Sequence, residues 1–193
     1  MMKVLANDGI SQSGIKALEK GGFEVITTKV AQNQLENYIN EHNIDAILVR
    51  SATQVRQELI DACPSIKLIG RGGVGMDNID VDYAIDQGLH VINTPNASSS
   101  SVAELVFAHL FGMVRFLHQA NREMPLEGDT RFKDLKKGFA GGIELRGKTL
   151  GIIGFGRIGK EVAKIALGIG MKVVANDGYV GEAIINVPFY NGQ

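Results

Sequence analysis

The chain has 193 residues, 45% of them hydrophobic and 21% charged, with 20 basic side chains against 21 acidic ones. That composition suits a folded globular protein, and it offers no basic stripe to neutralise a run of phosphates, so nucleic acid is not expected as a principal partner. The single cysteine, Cys63, excludes a disulfide framework and a cysteine-based metal site; no metal is expected, and a reducing, cytoplasmic setting is.

From the first residues, short β-branched runs alternate with helical patterns. Residues 3–6, 24–27, 46–49, 68–70 and 90–92 read as strands, the first of them in place of any leader peptide. Between them, 13–20, 32–42, 56–62 and 81–87 carry apolar residues at helical spacing. Gly21-Gly22 and Gly88 supply stops, Ser11 or Ser13 a cap for the first helix, and Asp80 a cap for the fourth. Strands alternating with helices, with apolar strands buried on both faces, predict a parallel sheet.

A long helix is expected over 101–122, with caps in Ser98–Ser101 and Glu104 placed as in a capping box. The apolar stretch 102–117 is broken by Glu104, His109 and Arg115 and is shorter than the roughly 20 residues a bilayer span needs, so no membrane partner is expected. Residues 123–142 are polar without a clear period and read as a connection. A second strand-helix-strand unit follows at 149–153, 158–167 and 172–175. The boundary between the two α/β units falls near 95–100, giving domains 1–97 and 98–193, with the long helix in the second.

The strongest local signal is Gly154-Phe-Gly156-Arg-Ile-Gly159 after a strand, answered by Asp177 at the next strand end. Gly154 permits a tight turn, Gly156 lets the backbone approach a pyrophosphate, and Gly159 lets helix and strand pack closely. The helix start offers free N–H groups to the phosphates, and an acid at Asp177 accepts from ribose hydroxyls and favours NAD over NADP. The alternative is a tight turn without a ligand and a solvated Asp177.

Three further clusters stand at strand ends. Arg71-Gly-Gly73-Val74-Gly75-Met-Asp77-Asn78 can form an anion-binding concavity, or be an ordinary turn in which Asp77-Asn78 caps the next helix. Arg50-Ser51 suits a carboxylate or phosphate, or is a surface arginine in a weak ion pair. The segment from Asn93 to Glu104 reads mainly as a hinge stiffened by Pro95. His42, His90, His109 and His118 lack a carboxylate partner at useful spacing and read as packing or solvent-exposed residues.

Taken together, Leu48-Val-Arg-Ser-Ala-Thr, Gly70-Arg-Gly-Gly-Val-Gly-Met-Asp-Asn-Ile-Asp, Val91-Ile-Asn-Thr-Pro, Ser101-Val-Ala-Glu-Leu and the segment from Leu145 to Gly159 resemble the D-isomer-specific 2-hydroxyacid dehydrogenases, closest to the 3-phosphoglycerate dehydrogenases. The resemblance covers almost the whole chain. It implies a flavodoxin-like parallel-sheet substrate domain followed by the start of a Rossmann domain. It also implies that Val74, Gly154, Gly156, Arg157, Ile158, Gly159 and Asp177 hold NAD. Arg50, Ser51, Gly73, Val74 and Gly75 would bind a 2-hydroxy or 2-keto acid, and the helix from Ser101 would form a homodimer interface. The reaction implied is hydride transfer between nicotinamide and C2 of the acid, which for 3-phosphoglycerate opens serine biosynthesis.

Two departures accompany the resemblance. Gly178-Tyr179 follows Asp177 where the family has proline and an aromatic residue. The family's catalytic arginine, glutamate and histidine match no residue here, so they are expected downstream and the chain alone is expected to be inactive. A second reading is therefore a non-catalytic NAD(H)-binding or corepressor-like relative; a third is another substrate, such as glycerate, glyoxylate or lactate.

Overall fold

The computed structural model describes residues 1–185, which divide into two compact units, one spanning Met1–Ala97 and the other beginning at Ser98. In the first unit, strands β1 (Lys3–Ala6), β2 (Glu24–Ile26), β3 (Ala46–Val49), β4 (Leu68–Arg71) and β5 (His90–Asn93) form one parallel sheet in the order β2-β1-β3-β4-β5. Its connections carry α1 (Gln12–Lys20), a 3-10 turn (Gln32–Gln34) leading into α2 (Leu35–His42), α3 (Gln57–Ala62) and α4 (Val81–Asp86). The register sets Leu5 beside Ile47 and Ile47 beside Ile69, and all three are fully buried. Truncating such a residue to alanine costs about 2–5 kcal/mol, so this row fixes both the register and much of the stability.

Local signals begin α1 and end α2. The Ser11 hydroxyl accepts the Gly14 N–H at 3.2 Å, and α2 closes on Asn43 in the left-handed region at φ 51°. Asp80 does not cap α4. Its carboxylate accepts the Gln57 N–H at 3.0 Å and a guanidinium N–H of Arg56 at 2.9 Å, capping the neighbouring α3 instead. The reason is a parallel bridge between Val55 and Ile79, which carries residue 80 to the start of α3.

In the second unit the expected single helix is two. Helix α5 (Ser99–Val114) stops at Arg115, Phe116 adopts φ 56°, and α6 (Leu117–Phe139) departs at a bend of 56°. The capping box is not formed, because the Ser98 side chain makes no cap hydrogen bond. The expected connection over 123–142 is mostly helix, kinked at Arg131 and continuing through Pro125. Its apolar period is weak because only Leu135 is buried; good helix formers and a Glu127–Arg131 ion pair one turn apart sustain it.

Strands β6 (Thr149–Ile153) and β7 (Lys172–Asn176) pair in parallel, joined by α7 (Arg157–Gly168). Leu150, Ile152 and Val173 meet Val162, Ala166 and Met171, with Ala103 and Phe107 of α5 completing the cluster. Side chains alternate across a strand, so Ile153 and Val174 emerge on the other face, 93% and 62% exposed. Among the described residues no single helix is long and apolar enough to cross a membrane; α5 and α6 meet that measure only as a bent pair.

Candidate functional site

The turn after β6 shows why its three glycines differ. Gly154 leaves the strand at φ 89°, a conformation that side chains rarely adopt, and its N–H donates to the Asn176 carbonyl at 2.8 Å. A Cβ on Gly159 would stand 2.3 Å from the Gly154 carbonyl oxygen, so helix and turn can approach this closely only without a side chain there. A Cβ on Gly156 would meet nothing within 4 Å. Packing therefore demands glycine at 159 and conformation demands it at 154, while the space beside 156 is open to a ligand. Arg157 and Ile158 form the first turn of α7, where main-chain N–H groups lack helical partners and attract anions.

Asp177, just past β7, is bound into this turn. One carboxylate oxygen accepts the Phe155 N–H at 2.6 Å, and the other accepts those of Tyr179 at 2.8 Å and Val180 at 3.0 Å. These bonds, Tyr179 first and then Phe155, hold the acid below the usual carboxylate range. A carboxylate offers about four acceptor positions, and three of them are filled by these N–H groups. The sequence pointed to a ligand-facing acid; it did not reveal that the same acid fastens the turn.

In the first unit, a cleft of about 590 Å³ lies at the carboxyl ends of β1, β3, β4 and β5, where ligands sit in open α/β sheets. Arg50, Arg71, Ile92 and Thr94 border it, and Gly70 floors it because a Cβ there would fall 2.6 Å from Leu48 Cδ2. Among the described residues the Arg50 guanidinium has neither a hydrogen-bond nor an ion-pair partner. Ser51 lies beside it in an adjoining hollow that Lys29 and Thr27 also line.

The glycine loop continues from Arg71 and Gly72, which line the cleft. Gly73, Val74 and Gly75 are absent from the walls of this cleft. The loop wraps the Arg71 side chain, which donates to the Gly75 carbonyl, and a Cβ on Gly73 would stand 2.8 Å from Arg71 Nη1. The Val74 carbonyl accepts from the Asn93 side chain at 2.7 Å, while the Val74 side chain is 42% exposed. Asn78 does not cap α4 either; its amide reaches back to the carbonyls of Arg50 and Thr53 at 2.8 and 2.6 Å.

Asn7, Asp8 and Thr53 were not singled out by the sequence, yet they hold the end of β3. Asn7 is buried, pairs with both main-chain groups of Val30, and donates to Thr53 Oγ1 at 2.8 Å. Asp8 accepts the Arg50 N–H at 2.7 Å and the Thr53 hydroxyl at 2.7 Å. Only the adjacency of these strands in the sheet makes such contacts, so no local signal could have found them. His42 stacks on Tyr38, and no histidine lines the cleft or its adjoining hollow. Among the described residues no group of three or more metal-ligating side chains is placed to hold an ion.

Comparisons with known proteins show what the chain is similar to. The chain is 39% identical over 184 residues to a D-3-phosphoglycerate dehydrogenase of Methanocaldococcus jannaschii, covering 95% of this chain and 34% of that protein. It is 42% identical to a hydroxypyruvate reductase of Thermotoga maritima, covering 91% of this chain and 55% of the relative. A solved structure of 3-phosphoglycerate dehydrogenase with bound NAD+ from Entamoeba histolytica matches with a TM-score of 0.69 at 30% identity, covering 94% of this chain and 55% of that one. The chain thus spans about a third to about half of the length of these relatives. Residues 4–189 match the family described as "D-isomer specific 2-hydroxyacid dehydrogenase, catalytic domain", and the chain belongs to that family.

Proposed function

We propose that this chain carries the cofactor-binding and substrate-binding groups of an NAD-dependent dehydrogenase that interconverts 3-phosphoglycerate and 3-phosphohydroxypyruvate, the step that opens serine biosynthesis. The observation that carries the reading is the turn in which Gly154 and Gly159 are demanded by the fold while Gly156 borders open space, with Asp177 tied to its rim. Gly154, Gly156, Arg157, Ile158 and Gly159 would hold the pyrophosphate, and the remaining acceptor position of Asp177 a ribose hydroxyl. Bound NAD supplies the hydride acceptor at the hydroxyl carbon.

Arg50 and Ser51 are the groups we assign to the substrate's anion. An unpaired guanidinium presents a planar fork that matches a carboxylate or phosphate, and Lys29 in the adjoining hollow adds a second positive charge. Gly73 and Gly75 support this arrangement through Arg71, and the exposed Val74 side chain is available to a ligand. Reduction of a keto acid also needs a proton donor. Asp8, the acid that lines the cleft, is held ionised by its hydrogen bonds, and no histidine stands beside it. We therefore infer that the described residues bind without performing proton transfer.

Titrating the chain with NADH, followed by nicotinamide fluorescence, tests the cofactor half; calorimetry with 3-phosphoglycerate tests the other. Saturable binding of both, lost in Gly156→Val and Arg50→Ala respectively, is the expected result. Absence of NADH binding by the wild-type chain overturns the reading. The similarity to a hydroxypyruvate reductase supports an alternative substrate without phosphate, and tighter binding of glycerate than of 3-phosphoglycerate would favour it. Leu105, Phe111 and Met113 stand exposed on α5, and this apolar surface supports a homodimer through that helix. Sedimentation as a monomer at micromolar concentration would remove that part of the proposal.

A further inference from the structure

Arg50 stands one residue beyond β3, where a free loop would let its guanidinium sweep a wide volume. Its main chain is instead held from both sides. The Asp8 carboxylate accepts the Arg50 N–H at 2.7 Å and the Thr53 N–H at 3.1 Å through one oxygen, and the Thr53 hydroxyl at 2.7 Å through the other. The Asn78 amide donates to the Arg50 and Thr53 carbonyls at 2.8 and 2.6 Å. Thr53 and Asn78 are buried, and Asn7 fixes Thr53 from beneath. Two side chains from distant parts of the sequence thus bracket one four-residue loop.

The chemistry of this bracket is specific. Asp8 lines the same cleft as Arg50, and a bare carboxylate there would pair with the guanidinium or repel an anionic ligand. Three donors from the loop engage it instead, and no Asp8–Arg50 ion pair forms among the described residues. The acid therefore holds the arginine's backbone while leaving its charge available. Asn78 supplies the complementary half, since only an amide or a cation can donate to two carbonyls at once.

We propose that Asp8 and Asn78 are positioning residues, which clamp the 50–53 loop so that the Arg50 guanidinium meets the anionic group of a small organic acid in the cleft. The proposal rests on the assignment of Arg50 to substrate binding given above. Pre-organisation of this kind raises affinity by removing the cost of ordering a long side chain on binding.

The test is a double-mutant cycle in the full chain, with 3-phosphoglycerate affinity measured by calorimetry and the thermal unfolding of each variant as the control of folding. Asp8→Ala is expected to weaken 3-phosphoglycerate by about 10-fold in the presence of Arg50, and by less than about 2-fold in an Arg50→Ala background. Asp8→Asn keeps an oxygen for the two main-chain N–H groups and is expected to stay within about 3-fold of wild type. Asn78→Asp, isosteric but unable to donate, is expected to lose as much as Asp8→Ala. Equal effects of Asp8→Ala with and without Arg50 would overturn the clamp. If Arg50→Ala itself leaves 3-phosphoglycerate binding unchanged, the assignment of Arg50 fails first, and the clamp with it. Should the alanine variants not fold, amide exchange in the wild-type chain decides: strong protection of the Arg50 and Thr53 N–H groups supports the clamp, and free exchange refutes it.

Discussion

The Asp177 carboxylate accepts the Phe155 N–H at 2.6 Å, tying the residue beyond β7 to the middle of the turn that leaves β6. One side chain thereby fastens the glycine turn to the segment that follows β7. Under the proposed function, stability of the turn and recognition of a ribose would be linked in this single acid.

Replacing that acid separates the two roles. Asp177→Ala is expected to weaken NADH by about 10-fold or more, since it removes a charged acceptor and loosens the turn together. Because the carboxylate also repels an extra ribose phosphate, the preference for NADH over NADPH is expected to shrink in this variant. Parallel fluorescence titrations with the two coenzymes check both statements; an unchanged ratio of affinities would count against the discrimination.

Glycines 156 and 159 are expected to fail differently. Gly159→Ala places a methyl group against the Gly154 carbonyl oxygen and should destabilise the second unit by about 1–3 kcal/mol. Gly156→Ala meets no protein atom, so its melting temperature should stay near wild type while NADH binding falls. Thermal melts set beside binding isotherms would expose the contrast, and a Gly156→Ala chain that melts early would contradict it.

Asp8 links the first unit to pH. Burial alone would raise its pKa, but the hydrogen bonds from Arg50 and Thr53 outweigh that and hold it below the usual carboxylate range. A depressed folded-state value means that the stabilisation is fully present above the unfolded pKa and disappears as pH falls through the folded one. The first unit should therefore lose stability below about pH 4, and less steeply in Asp8→Asn, as denaturant melts between pH 2 and 6 would record. A variant with the same acid slope as wild type would show that other carboxylates carry the effect.

Cys63 provides a probe of the first unit. Burial, with a smaller contribution from Glu36, pushes its thiol up to about 11. At pH 8 roughly one thiol in a thousand is ionised, and the side chain is almost wholly covered. Labelling by an aromatic disulfide reagent should be negligible in the folded chain and complete in denaturant. Rapid labelling without denaturant would mean that the α2–α3 region opens readily.

Much of the architecture was legible because its causes are local. The strands of the first unit announce themselves through short apolar runs, and the glycine turn through its place between a strand and a helix with an acid at the next strand end. Helix α6 was not legible, since a helix that buries one leucine leaves almost no period, and Pro125 argued against it. The break at Phe116 carried no glycine or proline to mark it. In the candidate site, Arg50 and Asp177 were visible as charged residues at strand ends. Their supports were not: Asn7 and Asp8 meet Thr53 across more than forty residues, and Asp80 serves a helix that precedes it.

The parallel arrangement of the first sheet has a consequence for redesign. Arg50, Ile92 and Thr94 reach the cleft from the ends of β3 and β5, whereas Leu5, Ile47 and Ile69 secure the sheet within its interior. A combinatorial library confined to 50, 51, 92 and 94 would thus alter size and charge preference while leaving the row that sets the register untouched. Retooling toward bulkier or uncharged acids becomes a problem of rim chemistry, provided that Asp8 and Asn78 are kept to hold the scaffold on which each new side chain is mounted.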